Sequence, residues 1–368
     1  MAIDLISIKG FRNIIDSTLK LNKFNIIHGN NGSGKTSLLE ALFFLGRGKS
    51  FRTNKVKNLI NISDNNFTIF SKSKITGQIG IRKNISNDLE IKINHEYTRN
   101  ISSLSKNLPI QIILPNCHLL IEGAPNERRK YIDWLVFHVK HELIPLWKKH
   151  QKILRQRNLA LKNRLPKNQI TIWDNELIRI TEIINLERIE HIKNIGVELN
   201  KLSKIIFKEK ITFLLKYNQS WDKKSDFGSS LKSYYEKDRD RGFTNIGLNK
   251  SELKIYSVSD NNTKYDVKEF LSKGNLKLLA VILVLVQLKI FIDNRKNHIK
   301  PILLIDDIFA ELDETHVKNI LSVIFNLDLQ TFITTVNDPN DGRILKSFET
   351  EDLSMFHVKQ GNFYLSNN

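Results

Sequence analysis

Eight consecutive residues of the sequence follow a pattern that binds phosphate. They read G-x-x-x-x-G-K-[ST] and comprise Gly29, Asn30, Asn31, Gly32, Ser33, Gly34, Lys35 and Thr36. The glycines let the backbone turn so that successive N–H groups point inward at phosphate oxygens. Lys35 can reach the β- and γ-phosphates as a point charge, and Thr36 can offer its hydroxyl to Mg²⁺. The motif therefore predicts a site for the phosphates of a nucleotide.

The residues on both sides of this loop supply the structural context that the motif requires. Residues 24–27 are a short apolar run, as in a buried strand, and Ser37 begins a helical pattern that continues to Leu45. The loop is thus predicted to open a helix, whose N-terminal dipole also favours an anion.

A strand late in the chain supplies the acidic partner that a phosphate-binding loop needs. Residues 301–305 begin with proline, continue as an apolar run and are followed by Asp306 and Asp307. We predict that Asp306 holds Mg²⁺ through water and that Asp307 orients or deprotonates the attacking water.

A third stretch, Leu271-Ser-Lys-Gly-Asn-Leu-Lys277, opens an apolar helix. Ser272 and Gly274 stand at the helix start, where a hydroxyl, free N–H groups and the helix dipole converge. On these residues alone, the stretch predicts a capped helix.

The chain of 368 residues is strongly basic, with 57 Lys and Arg against 39 Asp and Glu and a net charge of +18. This excess favours a polyanionic partner, of which nucleic acid is the commonest soluble one. Cys117 is the only cysteine, which excludes an internal disulfide and fits a reducing compartment. The sequence begins without a signal-peptide pattern, and Lys277, Gln287 and Lys289 interrupt the apolar run at 276–292. We expect a cytoplasmic protein without a membrane span.

Changes in the predicted secondary structure along the chain indicate a domain whose sequence is interrupted by an insertion. Strand-like patterns dominate the first part, long helical patterns follow, and short strands then return. We predict that residues 1–115 and 211–368 form one nucleotide-binding unit, split by a helical insertion of residues 116–210.

The order of these motifs resembles that of ABC-type ATPase heads. The phosphate-binding loop is followed by an L-S-x-G helix start, an apolar strand that ends in Asp-Asp, and Ala310-Glu-Leu-Asp313. Their wide separation is similar to that in the SMC-like branch, in which an insertion interrupts the head, although the insertion here is too short for an SMC coiled-coil arm. The implied fold class is α/β, an ABC-type P-loop ATPase head with an inserted, mostly helical lobe.

Several shorter strings narrow the resemblance to the RecF family. They are Phe11-Arg-Asn13, Leu45-Gly-Arg-Gly-Lys-Ser-Phe-Arg52, Leu108-Pro-Ile-Gln-Ile-Ile-Leu-Pro115, Glu122-Gly-Ala-Pro-Asn-Glu-Arg-Arg-Lys-Tyr-Ile-Asp133, residues 134–138, Arg155-Gln-Arg-Asn158 and the Asp-Asp-x-x-x-Glu-Leu-Asp string ending at Asp313. The resemblance covers essentially the whole chain.

What this resemblance implies is a recombination mediator controlled by ATP. Such a protein dimerises on ATP, binds single- and double-stranded DNA at gaps or stalled forks, and acts with RecO and RecR to load RecA for gap repair and the SOS response. The resemblance also implies weak, DNA-stimulated hydrolysis of ATP with Mg²⁺, which serves as a switch.

The resemblance assigns roles around the nucleotide by position. Lys35 and Asp307 are the implied catalytic residues, and Thr36 and Asp306 the implied Mg²⁺ site. The implied nucleotide-binding residues are those from Gly29 to Ser37, with Arg12 near the nucleotide and Gln111 as the sensor of the γ-phosphate.

It also assigns residues to a dimer. Ser272, Gly274 and Asn275 would form the signature, which acts in trans on a second molecule. Asp313 would lie in the loop that meets the partner, with Thr334 or Thr335 in the switch position after the last strand.

Two departures from the family pattern bear on the rate of hydrolysis. Asn275 stands where the signature usually has Gln, a longer amide. Gly247-Leu-Asn-Lys-Ser-Glu252 stands where a Gly-Pro-His-basic-Ala-Asp string is expected, and of that string's Pro, His and base only the base, Lys250, is kept.

Basic residues in two stretches are predicted to contact DNA. The first group is Lys49, Arg52, Lys55 and Lys57, and the second group of candidates, on helical stretches, is Arg128, Arg129, Lys130, Arg155 and Arg157. For Arg128 and Arg129, a role in the fold or at an interface stays open. Basic side chains contact phosphates without reading bases, so we expect salt-sensitive and largely sequence-independent binding.

Three other functions stay open on the sequence. An ATP-switched DNA-binding scaffold with negligible hydrolysis fits the altered signature. A small-molecule P-loop kinase fits the loop but does not need the signature or the Asp-Asp string. An SMC-like ATPase with a nuclease domain needs further clustered carboxylates after the head.

Overall fold

The structure is a computed structural model, and it divides into two compact units. It describes residues 1–207, 211–294, 299–336 and 352–366. The first unit comprises residues 1–117 and 291–368, and the second comprises residues 118–290.

Most of the described strands lie in the first unit, and β9, β10 and β11 lie in the second. In chain order they are β1 (Leu5–Phe11), β2 (Ile14–Lys20), β3 (Phe24–His28), β4 (Asn66–Ser73), β5 (Gly77–Asn84), β6 (Leu89–Ile93), β7 (Glu96–Thr98), β8 (Ile110–Ile113), β9 (Thr212–Asn218), β10 (Glu252–Val258), β11 (Lys264–Asp266), β12 (Ile302–Asp306), β13 (Gln330–Thr335), β14 (Leu353–Lys359) and β15 (Asn362–Leu365).

Helices dominate the second unit, whereas α1, α2 and α12 lie in the first. In chain order the helices of the whole structure are α1 (Lys35–Arg47), α2 (Ile101–Asn107), α3 (Leu119–Glu122), α4 (Pro125–Val139), α5 (Ile144–Lys162), α6 (Lys167–Thr171), α7 (Asp174–Ile206), α8 (Phe227–Ser233), α9 (Tyr235–Arg241), α10 (Val267–Phe270), α11 (Lys273–Asn294) and α12 (Glu314–Phe325). Helix α7 ends at Ile206, and residues 208–210, the last of the predicted helical insertion, lie outside the described residues.

The parallel sheet of the first unit has the strand order β15-β14-β3-β13-β12-β8, in which only β15 runs antiparallel to its neighbour. Asp306 lies opposite Thr334, and Thr334 lies opposite Ile27. The carboxyl ends of β3, β13 and β12 therefore meet at one edge of the sheet, which is where open α/β sheets bind ligands.

Helix α1 connects this sheet to an antiparallel one, whose order is β2-β1-β4-β5-β6-β7. All of its 13 residues except Thr36 and Arg47 are buried. Leu42 of the helix belongs to one hydrophobic core with Ile69 of the antiparallel sheet and Phe332 of the parallel sheet. A helix packed on both sides in this way holds the preceding loop in a fixed position.

The second unit is built around α7, which is 33 residues long. Helices α4, α5 and α8 pack on it, and Ile153, Leu177 and Phe227 belong to one of its cores. A separate antiparallel sheet of order β11-β10-β9 packs on α7 and α4.

This small sheet belongs to the second unit, which differs from the predicted domain division. We predicted residues 211–368 within the ATPase head, but residues 211–290 cluster with the helices of the second unit. The physical reason is that β9, β10 and β11 pair with one another and bury their apolar face against α7 and α4.

Helix α11 is, among the described residues, the one helix long and apolar enough to cross a membrane. In its most apolar stretch, 78% of the residues are buried inside the structure. Such burial is typical of the core helix of a globular unit.

Candidate nucleotide-binding site

The loop between β3 and α1 takes a backbone conformation that requires glycine. Gly29 has φ 146° and Gly34 has φ 120°, values that side-chain-bearing residues rarely adopt. A Cβ on Gly29 would lie 2.5 Å from the Val358 carbonyl oxygen, and one on Gly34 would lie 2.9 Å from Asn13 Nδ2. Both glycines are therefore needed for conformation and for space.

Lys35 begins α1 and folds back over its own loop. Its ammonium donates to the carbonyl oxygens of Gly29 at 2.5 Å and Asn30 at 3.0 Å. Burial lowers the pKa of Lys35 from its ordinary value, and the carboxylates of Asp307 and Asp306 partly offset that shift. A buried cation with its donors turned into the loop is suited to meet phosphate oxygens.

Asp306, at the end of β12, is joined to two hydroxyls. Thr36 Oγ1 donates to its carboxylate oxygens at 3.0 and 3.2 Å, and Thr334 Oγ1 donates to Oδ1 at 2.8 Å. The register of the parallel strands brings these groups together, although they are far apart in sequence.

Asp307 follows in an unusual backbone conformation, with φ 48°. Burial raises the pKa of its carboxyl, Lys35 acts to lower it, and Asp306 raises it further. A carboxylate whose pKa is moved toward neutrality is a better proton acceptor for a weakly acidic water than an ordinary surface carboxylate.

Asn13 and Glu40, to which the sequence analysis assigned no role, hold the phosphate-binding loop and the adjacent Arg12 in place. Asn13 donates to the Ser33 carbonyl oxygen at 3.1 Å and accepts from Ser37 Oγ at 2.8 Å. Glu40, fully buried in α1, forms a two-point ion pair with Arg12 at 2.8 and 2.9 Å. An acidic residue inside the apolar pattern of α1 was the signal that could have identified Glu40.

These residues border an open cleft of about 1200 Å³ in the first unit. Its polar side includes Asn31, Lys35, Thr36, Asp306 and Asp307. Its lining also includes exposed apolar side chains, namely Ile15, Ile62 and Ile85. A cleft lined by both charged and apolar side chains has the size and chemistry for a nucleotide.

Three predicted residues lie elsewhere in the first unit. Gln111 lies opposite Leu303, three residues before Asp306, so it is about 10 Å along the strand from that carboxylate. Asp313 caps α12 by accepting from the His316 N–H at 2.9 Å. Thr335 ends β13 opposite His28. Gln111 is not among the residues that line the cleft, and its backbone position is set by strand register and not by local sequence.

The predicted signature lies in the second unit, at the start of α11. Ser272 and Gly274 are exposed, and Ser272 Oγ accepts from the Asn275 N–H at 3.3 Å. The hydroxyl thus caps the helix as the sequence predicts, and its own proton points to no partner within the described part of the chain.

The predicted DNA contacts divide into exposed and buried residues. Lys49, Arg52, Lys55 and Lys57 are exposed, and Arg52 and Lys57 also border the cleft. Arg129 instead donates to the Ser251 carbonyl oxygen at 2.9 Å.

Two arginines of the second predicted group are internal. Arg128 is buried and pairs with Glu252 at 2.8 Å, and Arg157 is fully buried and pairs with Asp174 and Asp238, both at 2.8 Å. Arg157 is therefore used inside the fold and is wrong as a candidate for DNA contact, whereas Arg128 takes the role in the fold that the sequence left open for it.

A phosphate-binding loop on a parallel strand, two carboxylates on a strand of the same sheet, and an antiparallel sheet joined through α1 define an ABC-type ATPase head. The family model described as "RecF/RecN/SMC N terminal domain" matches residues 2–350. A solved SMC head domain from Pyrococcus furiosus matches with a TM-score of 0.58 at 17% identity, over 99% of this chain and 95% of that chain.

Relatives that match over nearly their full length identify the family within the class of ABC-type ATPase heads. The chain is 35% identical to the DNA replication and repair protein RecF of Shewanella woodyi, over 98% of this chain and 97% of that protein. It is 36% identical to RecF of Pseudoalteromonas translucida, over 98% and 99% of the two chains. The chain belongs to the RecF family. A solved structure of the recombination mediator RecF with ATP has the same fold, with a TM-score of 0.85 at 22% identity over 99% of both chains.

Proposed function

We propose that this chain is a cytoplasmic, ATP-dependent recombination mediator that binds DNA as a dimer. Membership of the RecF family supports this role. The observation that carries it is the convergence of Lys35, Thr36, Asp306 and Asp307 at one edge of the parallel sheet.

In this proposal the cleft of the first unit holds ATP. The N–H groups of the glycine-rich loop and the ammonium of Lys35 bind the phosphates. The exposed isoleucines that line the cleft provide an apolar surface for the base.

The residues next to Lys35 fit a magnesium ion. The Thr36 hydroxyl and the Asp306 carboxylate are hard oxygen donors 3.0 Å apart, the ligand type that Mg²⁺ prefers. Thr36 would bind the ion directly and Asp306 through water. When bound, Mg²⁺ neutralises charge on the phosphate oxygens.

Asp307 acts on the attacking water. It orients the water and accepts its proton as the water oxygen bonds to the γ-phosphorus. The bond between that phosphorus and the β–γ bridging oxygen breaks, and its electron pair leaves with ADP. The raised pKa of Asp307 favours this proton transfer.

ATP also joins two copies of the chain. The exposed Ser272 hydroxyl, Gly274 and Asn275 of one copy contact the phosphates held by the other. ATP then stabilises the dimer by mass action, and hydrolysis releases it. The shorter amide of Asn275 is expected to make hydrolysis slow. Asp313 is assigned to the loop that meets the partner, and Thr334 or Thr335, at the end of β13, to the switch position.

DNA binds to basic residues through its phosphates. Lys49, Arg52, Lys55 and Lys57 are the proposed contacts, and binding extends to single and double strands with little sequence preference. Family membership supports action at gaps and stalled forks with RecO, RecR and RecA as partners.

Two substitutions test the nucleotide switch. Lys35→Ala removes a charged donor to phosphate, whose charge-assisted hydrogen bonds contribute about 1.5–3 kcal/mol each, so ATP binding and ATP-dependent dimerisation should be lost. Asp307→Asn keeps the binding groups and should retain ATP and accumulate as a dimer. Gel filtration with and without ATP measures both. A Lys35→Ala protein that still dimerises on ATP contradicts the proposal.

DNA binding is tested separately by gel shift on gapped and plain duplexes with ATP, ADP or no nucleotide. We expect the strongest binding to the gapped duplex with ATP. ATPase assays with and without double-stranded DNA distinguish the mediator from an ATP-switched scaffold with negligible hydrolysis. Hydrolysis that DNA does not stimulate contradicts the switch.

A further inference from the structure

The hydroxyl of Thr334 connects the side chain of Asp306, the last residue of β12, to the backbone of Asp307. It donates to Asp306 Oδ1 at 2.8 Å and accepts from the Asp307 N–H at 3.0 Å. Thr334 is 1% exposed, so water does not compete with its hydroxyl for these two hydrogen bonds. The resemblance to the RecF family implied only that Thr334 or Thr335 stands in the switch position and assigned Thr334 no contact with Asp306 or Asp307.

The Asp307 backbone needs such a restraint. Its φ of 48° lies in the left-handed region, which is unfavourable for a residue that carries a Cβ. The hydrogen bond from its N–H to Thr334 fixes the peptide plane between Asp306 and Asp307. The direction of the Asp307 side chain follows from that plane, because the Cβ position depends on the backbone alone.

The Asp306 carboxylate is held from two sides. Thr36 Oγ1 reaches its oxygens at 3.0 and 3.2 Å, and Thr334 Oγ1 reaches Oδ1 from the adjacent strand. A carboxylate that supports a metal through water must keep its orientation, and hydrogen bonds to such groups commonly change metal affinity or activity by tenfold or more.

We infer that Thr334 is a positioning residue for ATP hydrolysis, which orients Asp306 toward Thr36 and sets the direction of Asp307 at the reacting end of the cleft. This inference rests on the proposed function. Thr334 touches neither phosphate nor attacking water in this role; it acts through the two aspartates.

The test compares three variants with the wild-type protein. Thr334→Val keeps the shape and removes both hydrogen bonds, whereas Thr334→Ser keeps the hydroxyl. Thr331→Val is the matched control: Thr331 lies on the same strand, is 0% exposed, and its hydroxyl has no hydrogen-bond partner within the described residues. All four proteins are assayed for steady-state ATPase, for ATP retention on filters as Mg²⁺ is varied, and for thermal unfolding.

We expect Thr334→Val to lower kcat about tenfold and to raise the Mg²⁺ concentration for half-maximal ATP retention several-fold, by the loss of orientation around Asp306. The KM for ATP should stay within about twofold, because the phosphate-binding groups are untouched. Thr334→Ser should recover most of kcat, and Thr331→Val should match the wild type.

Several results overturn the inference. They are wild-type kcat and Mg²⁺ dependence in Thr334→Val, equal impairment of Thr334→Ser and Thr334→Val, or an equal loss in Thr331→Val, which would indicate a general effect of altering the strand. A wild-type protein that neither retains nor hydrolyses ATP instead overturns the proposed function, and the inference with it.

Discussion

Arg157 is expected to stabilise the second unit and to make no contact with DNA. Its guanidinium donates to Asp174 Oδ1 and Asp238 Oδ2, each at 2.8 Å, and to Thr244 Oγ1 at 2.7 Å. Both Arg157 and Asp238 are fully buried. Arg157→Met fills similar space but leaves Asp238 as a buried charge without its cation.

The expected loss of stability in Arg157→Met follows from the unpaired charge of Asp238. Breaking a buried ion pair by removing one partner costs about 3–5 kcal/mol. For a folding unit of 150–250 residues, each kcal/mol lowers Tm by about 2–4 °C, so the expected loss is roughly 6–20 °C. Adding Asp238→Asn to Arg157→Met removes the unpaired charge and should restore part of the loss.

The assay pairs calorimetric unfolding with DNA binding, and Arg155→Met is the matched control. Arg155 lies on the same helix and is exposed, so its variant loses the same charge with little change in Tm. At a temperature where all variants are folded, Arg157→Met should bind DNA no more weakly than Arg155→Met. An unchanged Tm together with a larger loss of DNA affinity in Arg157→Met would refute the reasoning.

Two further predictions concern acid stability and the phosphate-binding loop. Burial, with a contribution from Arg188, lowers the pKa of His150 to about 4, so between pH 6.5 and 4 the unfolded chain binds a proton that the folded chain does not. Stability is therefore full above about pH 6.5 and falls by about 2 kcal/mol between pH 7.5 and 5; His150→Gln should remove that part of the pH dependence of unfolding, and identical pH profiles for the two proteins would contradict it. In the loop, a Cβ on Gly32 meets nothing within 4 Å, whereas one on Gly29 lies 2.5 Å from a backbone oxygen. Gly32→Ala should cost only about 1–2 kcal/mol of backbone strain, and Gly29→Ala should weaken ATP retention at least ~10-fold more, since a further 1.4 kcal/mol is tenfold; equal affinities would contradict the proposed fit of the loop.

The central motifs could be predicted from sequence because their chemistry is local. The loop from Gly29 to Thr36 carries its glycines, cation and hydroxyl within one turn of chain, and Asp306 and Asp307 end an apolar strand. Parallel pairing then brings the two together at one edge of the sheet. Glycines followed by Lys and Thr at this spacing have few roles in proteins other than binding phosphate.

Positions set by long-range pairing could not be predicted in the same way. Gln111 belongs to a string that resembles the family, but the register of β8 on β12 sets its backbone position, and it is not among the residues that line the cleft. Residues 211–290 show short strands in the sequence, and nothing local decides that they form their own sheet. Arg157 is different, because it lies four residues after the buried Ile153 and so on the apolar side of α5. That spacing could have identified it as internal.

The strands that flank the phosphate-binding loop come from the far end of the chain. The Gly361 N–H donates to the Ser33 carbonyl oxygen at 2.7 Å, and β3 is paired on both sides by β13 and β14. At about 5–20 residues per second, a ribosome takes roughly 15 to 65 s to reach residue 361 after finishing the loop. A prematurely terminated chain therefore carries the complete loop sequence without the neighbours that shape it. Because β3 then lacks the strands that pair with it on both sides, we expect such fragments to hold ATP more weakly than the intact chain.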